Sequence, residues 1–436
     1  MDSRGARMPV VARVEYASID DLGAIQSRNW RLQREFVAAR SRYYRNRGAP
    51  PLDLRDLPAY PTTDKAALRE DQRADPPFGS YLAAPIEAVT RLHRTSGTTG
   101  QAMNLALSAA DAAMTAIVGA RSHVACGLRP GHRVVHCLNY QLWMGGLTDH
   151  LILEATGATV VPFGVGDTEL LVRTIRELGI DAIYCTPSYP RRIEEVIAES
   201  FPGTRPRDLG LRIGLFAGEG GLDNPGFRAR LEATWGLKAR NTGYGVSDVL
   251  STVAGQCETQ NDLHLMALDV VYAELVDPDT GAPRPWAAGA QGELVLTHLE
   301  KDCQPLVRFR TGDVVLVTAT ERCPCGRTAP RFRVVGRSDD MVIVRGLNVF
   351  PSMVEAALSS LAELSGAYRI VLDGPGPYDR LPLHIEVADD RFLSEETAAK
   401  IARRLKDDIR VTAEVRLLPP RSLPTTAGKS KRVIRN

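Results

Sequence analysis

The pattern of hydrophobic and polar positions changes several times along the chain. Residues 16–44 carry apolar side chains at helical spacing, which predicts a long N-terminal helix. Another helix is expected to begin at Lys65, because Thr63 or Asp64 before it is a good N-cap residue. Both helices precede the part of the chain in which strand-like segments dominate.

From about residue 91 to residue 250, short apolar runs alternate with amphipathic segments. Alternation at this spacing predicts βαβ units and a mostly parallel sheet. The predicted strands are 133–138, 158–162, 182–185 and 211–216, and the predicted helices are 147–155, 169–178 and 191–199.

The pattern after residue 250 is typical of a more antiparallel β region. Residues 270–276 and 292–297 are predicted strands, with the turn sequence 277–281 between them. A further change comes near Gly336. The helices predicted beyond it are 352–361 and 395–408, and the strands are 368–372, 382–387 and 413–417. We therefore predict an α/β chain with a large N-terminal domain, residues 1–337, and a small α+β C-terminal domain, residues 338–436.

Composition narrows the class of protein. The net charge of +2 over 436 residues gives no reason to expect binding to nucleic acid or to an anionic membrane. The chain contains no run of about 18 apolar residues, so no transmembrane helix is predicted. The first residues lack the apolar core of a signal peptide, so a cytoplasmic protein is expected. The seven cysteines are then expected to be core residues or metal ligands rather than disulfides.

A segment rich in small residues, Arg94-Thr-Ser-Gly-Thr-Thr-Gly100, follows a strand-like stretch. Small residues let backbone amides approach a phosphate closely, and the hydroxyl groups add donors. It is not a Walker A loop, because Gln101 stands where that motif requires lysine. Taken alone, such a segment is more often a solvated loop.

Two later segments carry candidate ligand-binding groups. In residues 241–248, Tyr244 lies between glycines and can stack on a planar ring, while the Asp248 carboxylate can hold Mg²⁺. In residues 307–313, Asp313 follows a strand and a glycine turn and can accept hydrogen bonds from two ribose hydroxyls. The structural alternatives are a tight turn around a buried tyrosine and an ordinary turn aspartate.

Two more segments complete the pattern, residues 336–351 and residues 424–429. Each alone would be a linker or a basic tail. Together and in this order, the five segments resemble the adenylate-forming superfamily of acyl-CoA synthetases, luciferases and adenylation domains. The resemblance is closer to the phenylacetate–CoA ligase branch, to which residues 60–69 and 185–189 also look similar. It extends from about residue 58 to residue 434.

The resemblance implies a two-step reaction. ATP activates a carboxylic acid as an acyl-adenylate, and a thiol then takes the acyl group. The small C-terminal domain would be mobile, with Asp339 at the hinge about which it rotates between the steps. Lys429 would be the lysine that bonds the carboxylate and the α-phosphate; Lys431 is nearby, but the Gly-Lys order favours Lys429.

The resemblance also implies a nucleotide site. Asp248 stands where the family normally has glutamate, so its charge is kept and its reach is shorter. Gln101 stands where relatives often have lysine, which removes one charge beside the phosphates. The implied nucleotide-binding residues are Thr95, Ser96, Gly97, Thr98, Thr99 and Gly100 for the phosphates, Tyr244 and Gly245 for adenine or the acid, Asp313 for the ribose, and Arg337 near the nucleotide.

An aromatic segment, residues 139–146, matches the part of the relatives that helps line the acyl pocket. Tyr140 and Trp143 favour a flat, apolar acid, although plain core packing is the alternative. The predicted pocket comprises Tyr140, Trp143, Gly145, Ala217, Gly218 and Glu219. Which aromatic acid it takes is left open.

Four residues form a candidate zinc set: Cys257, His264, Cys323 and Cys325. Three thiolates and one imidazole suit a closed tetrahedral structural site, but the spacing is not that of a standard zinc finger. Four unlinked loop residues are the alternative. Some relatives carry a similar set, which favours zinc. His132 and His136 flank a predicted strand and are expected to be core or surface residues.

The leading hypothesis is an aryl-acid:CoA ligase that uses ATP, Mg²⁺ and CoA and contains structural Zn²⁺. A second hypothesis is that the acid is loaded onto the phosphopantetheine thiol of a carrier protein. A third hypothesis is a catalytically silent nucleotide-binding or regulatory protein. The presence of Lys429 and Asp313 argues against it. The departures at Gln101 and Asp248 argue weakly for it. A homodimer is left open.

Overall fold

The computed structural model describes residues 13–95, 102–345, 347–359, 361–374, 378–423 and 432–436. The chain forms two compact units. The larger comprises Met1–Asp223, Arg230–Thr311 and Leu316–Arg333, and the smaller comprises Asn224–Ala229, Gly312–Val315 and Val334–Asn436. The domain boundary between residues 337 and 338 stays a prediction.

The larger unit begins with helices α1 (Ile19–Arg40), α2 (Arg42–Asn46) and α3 (Lys65–Ala74). The predicted continuous helix over residues 16–44 is therefore wrong. Ser41 is buried and extended, and its hydroxyl accepts a hydrogen bond from the Tyr44 amide, so that it ends one helix and caps the next. The predicted N-cap at Asp64 is confirmed, because its carboxylate accepts from the Ala67 amide.

Five parallel strands form one half of a large sheet, in the order β4-β3-β5-β6-β7. The predicted βαβ alternation is confirmed. All four residues of β5 are buried, as expected for a strand covered on both faces. The elements are β1 (Arg91–Arg94), β2 (Asn104–Leu107), α4 (Ala109–Ala125), β3 (Arg133–His136), α5 (Met144–Ala155), β4 (Thr159–Pro162), α6 (Thr168–Leu178), β5 (Ala182–Cys185), α7 (Tyr189–Ser200), β6 (Ile213–Ala217), α8 (Pro225–Trp235) and β7 (Lys238–Val246).

The rest of the large sheet confirms the predicted β region. Its order is β11-β10-β12-β13-β14-β9-β8-β7, and the pairs β7–β8, β8–β9, β9–β14, β10–β11 and β10–β12 are antiparallel. The strands are β8 (Leu250–Gly255), β9 (Leu263–Leu265), β10 (Val271–Val276), β11 (Pro283–Arg284), β12 (Gln291–His298), β13 (Phe309–Ala319) and β14 (Arg331–Arg337).

The smaller unit has its own sheet, in the order β19-β18-β17-β20, and a core that includes Val354, Ile370, Leu383 and Leu405. No strand was predicted after residues 413–417, and the domain was expected to end in a polar basic tail. Its end is instead strand β20, which pairs in parallel with β17 and buries Val433. The elements are β15 (Val342–Val344), β16 (Leu347–Val349), α9 (Pro351–Leu358), β17 (Leu364–Leu372), β18 (Leu381–Val387), α10 (Glu395–Ile409), β19 (Ala413–Leu418) and β20 (Val433–Arg435).

The predicted fold class is thus confirmed: a large α/β part whose sheet is half parallel, and a separate small α+β part. Among the described helices, none combines the length and the apolar character needed to cross a membrane.

Candidate active site

The predicted acid pocket lies at the carboxyl ends of the parallel strands. Residues 139–146 follow β3, Thr186 follows β5, Gly218 follows β6 and Asp248 follows β7 closely. Because these strands are parallel, their carboxyl ends lie at one edge of the sheet, where α/β folds bind ligands.

Trp143 lies beside several of the predicted pocket residues. Its half-buried ring packs against a buried cluster that includes Ala217 and Tyr184. A Cβ atom at Gly218 would lie 3.6 Å from Cη2 of Trp143, and a Cβ at Gly145 would lie 3.0 Å from Cζ3. The structure therefore brings together four of the predicted pocket residues, and the two glycines leave space beside the indole. Glu219 is half-buried directly after Gly218.

Tyr140 is oriented by a chain of hydrogen bonds that sequence reasoning missed. Its hydroxyl lies 2.9 Å from Nδ1 of His150, and Nε2 of His150 lies 3.1 Å from a carboxylate oxygen of Glu154. Burial raises the pKa of Tyr140 to about 12, so the phenol stays protonated. The missed signal was the i, i+4 spacing of His150 and Glu154 on α5. His136, predicted as a core or surface residue, is buried, and its ring lies 4.9 Å from that of Tyr140.

Asp149 is a second residue that sequence reasoning missed. This buried carboxylate accepts a hydrogen bond of 2.6 Å from the Tyr184 hydroxyl and another from the Ser251 hydroxyl. Burial raises its pKa to about 6, although both hydrogen bonds oppose the rise. Because it links α5 to β5 and β8, Asp149 fixes the helix that directly follows Tyr140 and Trp143. An aspartate within the otherwise apolar start of that helix was the available signal.

The predicted magnesium ligand, Asp248, is buried beside the first residue of α3. One carboxylate oxygen lies 2.8 Å from Nζ of Lys65, and the other is buried with no hydrogen-bond partner among the described residues. A buried carboxylate oxygen that receives no hydrogen bond needs another partner, and a bound cation would provide one. Mg²⁺ prefers oxygen ligands such as carboxylates, so the Asp248 carboxylate is a suitable ligand for the ion.

Tyr244 and Gly245 lie on β7 beside β8. The Tyr244 ring meets Phe332 edge to face, with centroids 5.7 Å apart and planes at 86°. A Cβ atom at Gly245 would lie 1.7 Å from the carbonyl oxygen of Ser251, so only glycine fits. Gly245 thus allows the two strands to approach closely, and the pair holds the tyrosine in place.

Asp313, Arg337 and Asp339 are in contact within the smaller unit. A guanidinium nitrogen of Arg337 lies 3.2 Å from Asp313, while Nε lies 2.8 Å from Asp339. Gly312 adopts a φ of +75°, and a Cβ there would lie 2.7 Å from Nη2 of Arg337. The glycine therefore provides both the turn and the space that Arg337 needs to reach Asp313.

The four residues of the candidate zinc set are brought together. Their ligand atoms all lie within 4.8 Å of one another. The Sγ atoms of Cys257 and Cys323 are 4.0 Å apart, and Sγ of Cys325 lies 3.8 Å from Nε2 of His264. Tetrahedral zinc with Zn–S bonds of about 2.3 Å places its ligand atoms roughly 3.8 Å apart. The geometry and the donor set therefore fit zinc.

Of the predicted phosphate loop, the structure describes Thr95. Its amide donates to the carbonyl of Met103, and its hydroxyl accepts from the Met103 amide, both at 3.0 Å. The other predicted residues of the loop, and both tail lysines, lie outside the described residues: Ser96, Gly97, Thr98, Thr99, Gly100, Gln101, Lys429 and Lys431.

Comparison with known proteins identifies the family. The sequence model of AMP-binding enzymes matches residues 61–298, and that of the AMP-binding enzyme C-terminal domain matches residues 346–436. The chain is 36% identical to a phenylacetate-coenzyme A ligase of Thermus thermophilus, over 95% of the chain and 96% of the relative. It is 33% identical to a phenylacetate-coenzyme A ligase of Escherichia coli K12, over 96% of both.

A solved structure of 2-hydroxyisobutyryl-CoA ligase, in complex with 2-HIB-AMP in the postadenylation state, has a TM-score of 0.85 to this chain. It is 30% identical in sequence, and the match covers 97% of this chain and 91% of that one. The chain belongs to the AMP-binding enzyme family. Within it, the chain is an AMP-forming acid–CoA ligase that works through an acyl-adenylate, as the sequence predicted.

Proposed function

We propose that the acid activated by this ligase is a small aromatic carboxylic acid. Its carboxylate attacks the α-phosphorus of ATP, pyrophosphate leaves, and the CoA thiol then displaces AMP from the acyl-adenylate. The observation that carries the proposal is the Trp143 indole at the strand ends, with glycines on two sides and the Tyr140 ring held by His150. Two fixed ring faces suit a flat apolar substrate. The relatives named phenylacetate-coenzyme A ligase support this choice.

A small branched hydroxy acid is the second candidate, because the similar solved structure holds the adenylate of 2-hydroxyisobutyrate. Such an acid needs a hydrogen-bond partner for its hydroxyl when it is buried. The hydroxyl of Tyr140 is already bonded to His150, so it is less suited to that task. We therefore favour the aromatic acid.

A panel of acids scored by pyrophosphate release tests the proposal. Benzoates, arylacetates, 2-hydroxyisobutyrate and palmitate are compared by kcat/KM, with thioester formation measured on CoA and on a phosphopantetheinylated carrier protein. We expect an aromatic acid with CoA to give the highest value. Faster turnover of palmitate or of 2-hydroxyisobutyrate than of every aromatic acid would overturn the substrate class, and preference for the carrier protein would overturn the acceptor.

Replacing Trp143 with alanine should raise the KM for the best aromatic acid by about tenfold or more, because the acid loses an aromatic contact surface. The KM for ATP should change little, and tolerance of other acids should widen. Trp286→Ala removes another half-buried indole outside the pocket and should leave the acid preference unchanged. Equal effects of the two substitutions would show that Trp143 only supports the fold.

We further propose that Asp248 holds Mg²⁺ through its unpartnered oxygen, while Lys65 fixes the other oxygen. The ion would neutralise charge on the phosphates of ATP, and the chain's own contribution is to present a carboxylate already oriented. Zinc at the cysteine–histidine set is proposed as structural, supported by the convergence of the four ligand atoms.

Asp248→Asn should weaken Mn²⁺ binding in the presence of ATP, measured by electron paramagnetic resonance, by about tenfold or more, because one charged ligand is lost. Asp248→Glu restores the residue that the family normally carries and should bind the ion at least as well as the wild type. If Asp248→Asn lowers only the thermal stability and leaves the Mn²⁺ titration unchanged, Asp248 forms the ion pair with Lys65 and does not bind the metal ion.

A cytoplasmic location is also proposed. All seven cysteines are free, and three of them belong to the proposed zinc set, which requires thiolates. ATP and CoA are substrates found there. Fractionation of the source cells tests the location, and recovery with secreted proteins would contradict it.

A further inference from the structure

Helix α3 presents a row of basic side chains at i, i+4 and i+8: Lys65, Arg69 and Arg73. Lys65 is paired with Asp248, and Arg73 is paired with Glu70 at 2.5 Å. Arg69 has no ion-pair partner in the described part of the chain, and its Nε is buried without a hydrogen-bond partner. The middle member of the row is therefore a cation for which the described residues provide no carboxylate and no acceptor at Nε.

A cavity of about 420 Å³ lies beside this row. Arg69, Arg73 and Arg94 line it together with Gln72 and Asn104, and none of the described lining residues carries a carboxylate. Arg94 also has no ion-pair partner in the described ranges. Glu70 compensates the charge of Arg73, whereas Arg69 and Arg94 together give the cavity a positive potential that attracts anions.

The position of the cavity indicates which anion it receives. Arg94 is the last residue of β1, Asn104 is the first residue of β2, and the two are paired across the hairpin. Gln72 fixes α3 against this hairpin, since its side chain accepts from the Asn104 amide at 3.0 Å and donates to the Asn104 carbonyl at 2.7 Å. The cavity thus lies where the predicted phosphate loop leaves β1 and enters β2.

We propose that Arg69 and Arg94 form a binding site for the pyrophosphate group, separate from the loop itself. This inference rests on the adenylate-forming reaction, in which the β- and γ-phosphates of ATP become free pyrophosphate. A guanidinium group donates two parallel hydrogen bonds to phosphate oxygens, which suits it to this anion. The two arginines supply the cationic charge that Gln101, in place of a lysine, does not.

Calorimetric titration of the full-length protein with inorganic pyrophosphate tests the site. Arg69→Gln and Arg94→Gln should each weaken pyrophosphate binding by about tenfold or more, the loss expected for a hydrogen bond to a charged group. Arg69→Lys should recover only part, because lysine keeps the charge and loses the planar fork. Arg205→Gln is the matched control: Arg205 is exposed, pairs with Asp208 and lies outside the cavity lining, and its loss should change nothing.

Parallel titrations with a non-hydrolysable ATP analogue and with AMP complete the test. Weaker binding of both pyrophosphate and the ATP analogue assigns the site to bound ATP, and weaker binding of pyrophosphate alone assigns it to the released product. Unchanged pyrophosphate affinity in both glutamine variants overturns the proposal. An equal loss of AMP affinity also overturns it, because AMP lacks the β- and γ-phosphates. No carboxylic acid is present in these titrations, so an error in the proposed substrate would not affect the result.

Discussion

Replacing Lys429 with alanine is expected to lower the rate of acyl-adenylate formation by about 10²–10³-fold, the loss typical of removing one donor from a developing negative charge. Lys429 lies outside the described residues, so the prediction rests on the sequence Gly428-Lys429 and on membership of the AMP-binding enzyme family. The ammonium group has three donors and can reach the acid carboxylate and an α-phosphate oxygen together. As the adenylate forms, negative charge increases on the α-phosphate oxygen, and the attacking carboxylate oxygen forms a bond to phosphorus.

The two half-reactions separate this role from a general loss of activity. Formation of the adenylate is measured by exchange of labelled pyrophosphate into ATP, and the second step is measured by adding CoA to a preformed acyl-adenylate. The lysine is assigned to the first step, so the second should survive in Lys429→Ala, and ATP binding should change little. Lys431→Ala, in the same segment, is the control and should leave both steps nearly intact. Near-normal adenylate formation by Lys429→Ala would show that the assignment is wrong.

The parts of the fold that were predictable are those with strong local periodicity. Residues 182–185 are apolar, short and bounded by polar residues, and they form a fully buried strand. The break at Ser41 was not predictable in the same way, because apolar spacing continues on both sides of it and the interruption depends on a single capping hydrogen bond. Strand β20 has three residues, too few for a periodicity, and its pairing with β17 stabilises it.

In the candidate site too, some residues could be predicted from local sequence patterns and others could not. Trp143 and Gly218 could be placed at the sheet edge because each follows a predicted parallel strand. The ion pair of Lys65 and Asp248 joins residues 183 positions apart, and no local pattern indicates such a contact. Asp149 was missed because a single carboxylate in a helix is usually solvated, whereas here hydrogen bonds from two strands compensate for its burial. Sequence motifs thus predicted the groups that face a ligand, and the structure identified the residues that contact those groups.

The zinc set gives the largest expected effect on stability. Cys257 follows β8, His264 lies on β9, and Cys323 and Cys325 lie in the loop before β14. The same loop is held by Arg327, which forms a buried ion pair of 2.7 Å with Glu15. A metal bound here would therefore join the β region to the loop and, through it, to the N-terminal segment.

Cys323→Ser is expected to lower the free energy of unfolding by several kcal/mol, on the order of 5, because a structural metal contributes its binding free energy directly to folding. Incubation with a chelator should lower the thermal stability of the wild type and leave that of the variant nearly unchanged. The KM values for acid and ATP should change far less than stability, since the set lies outside the predicted pocket residues. Cys303→Ser replaces another fully buried thiol, outside the set, and should cost only about 1–3 kcal/mol for the buried hydroxyl. Elemental analysis should find one zinc per wild-type chain purified without chelator, and a zinc-free protein of the same stability would end the proposal.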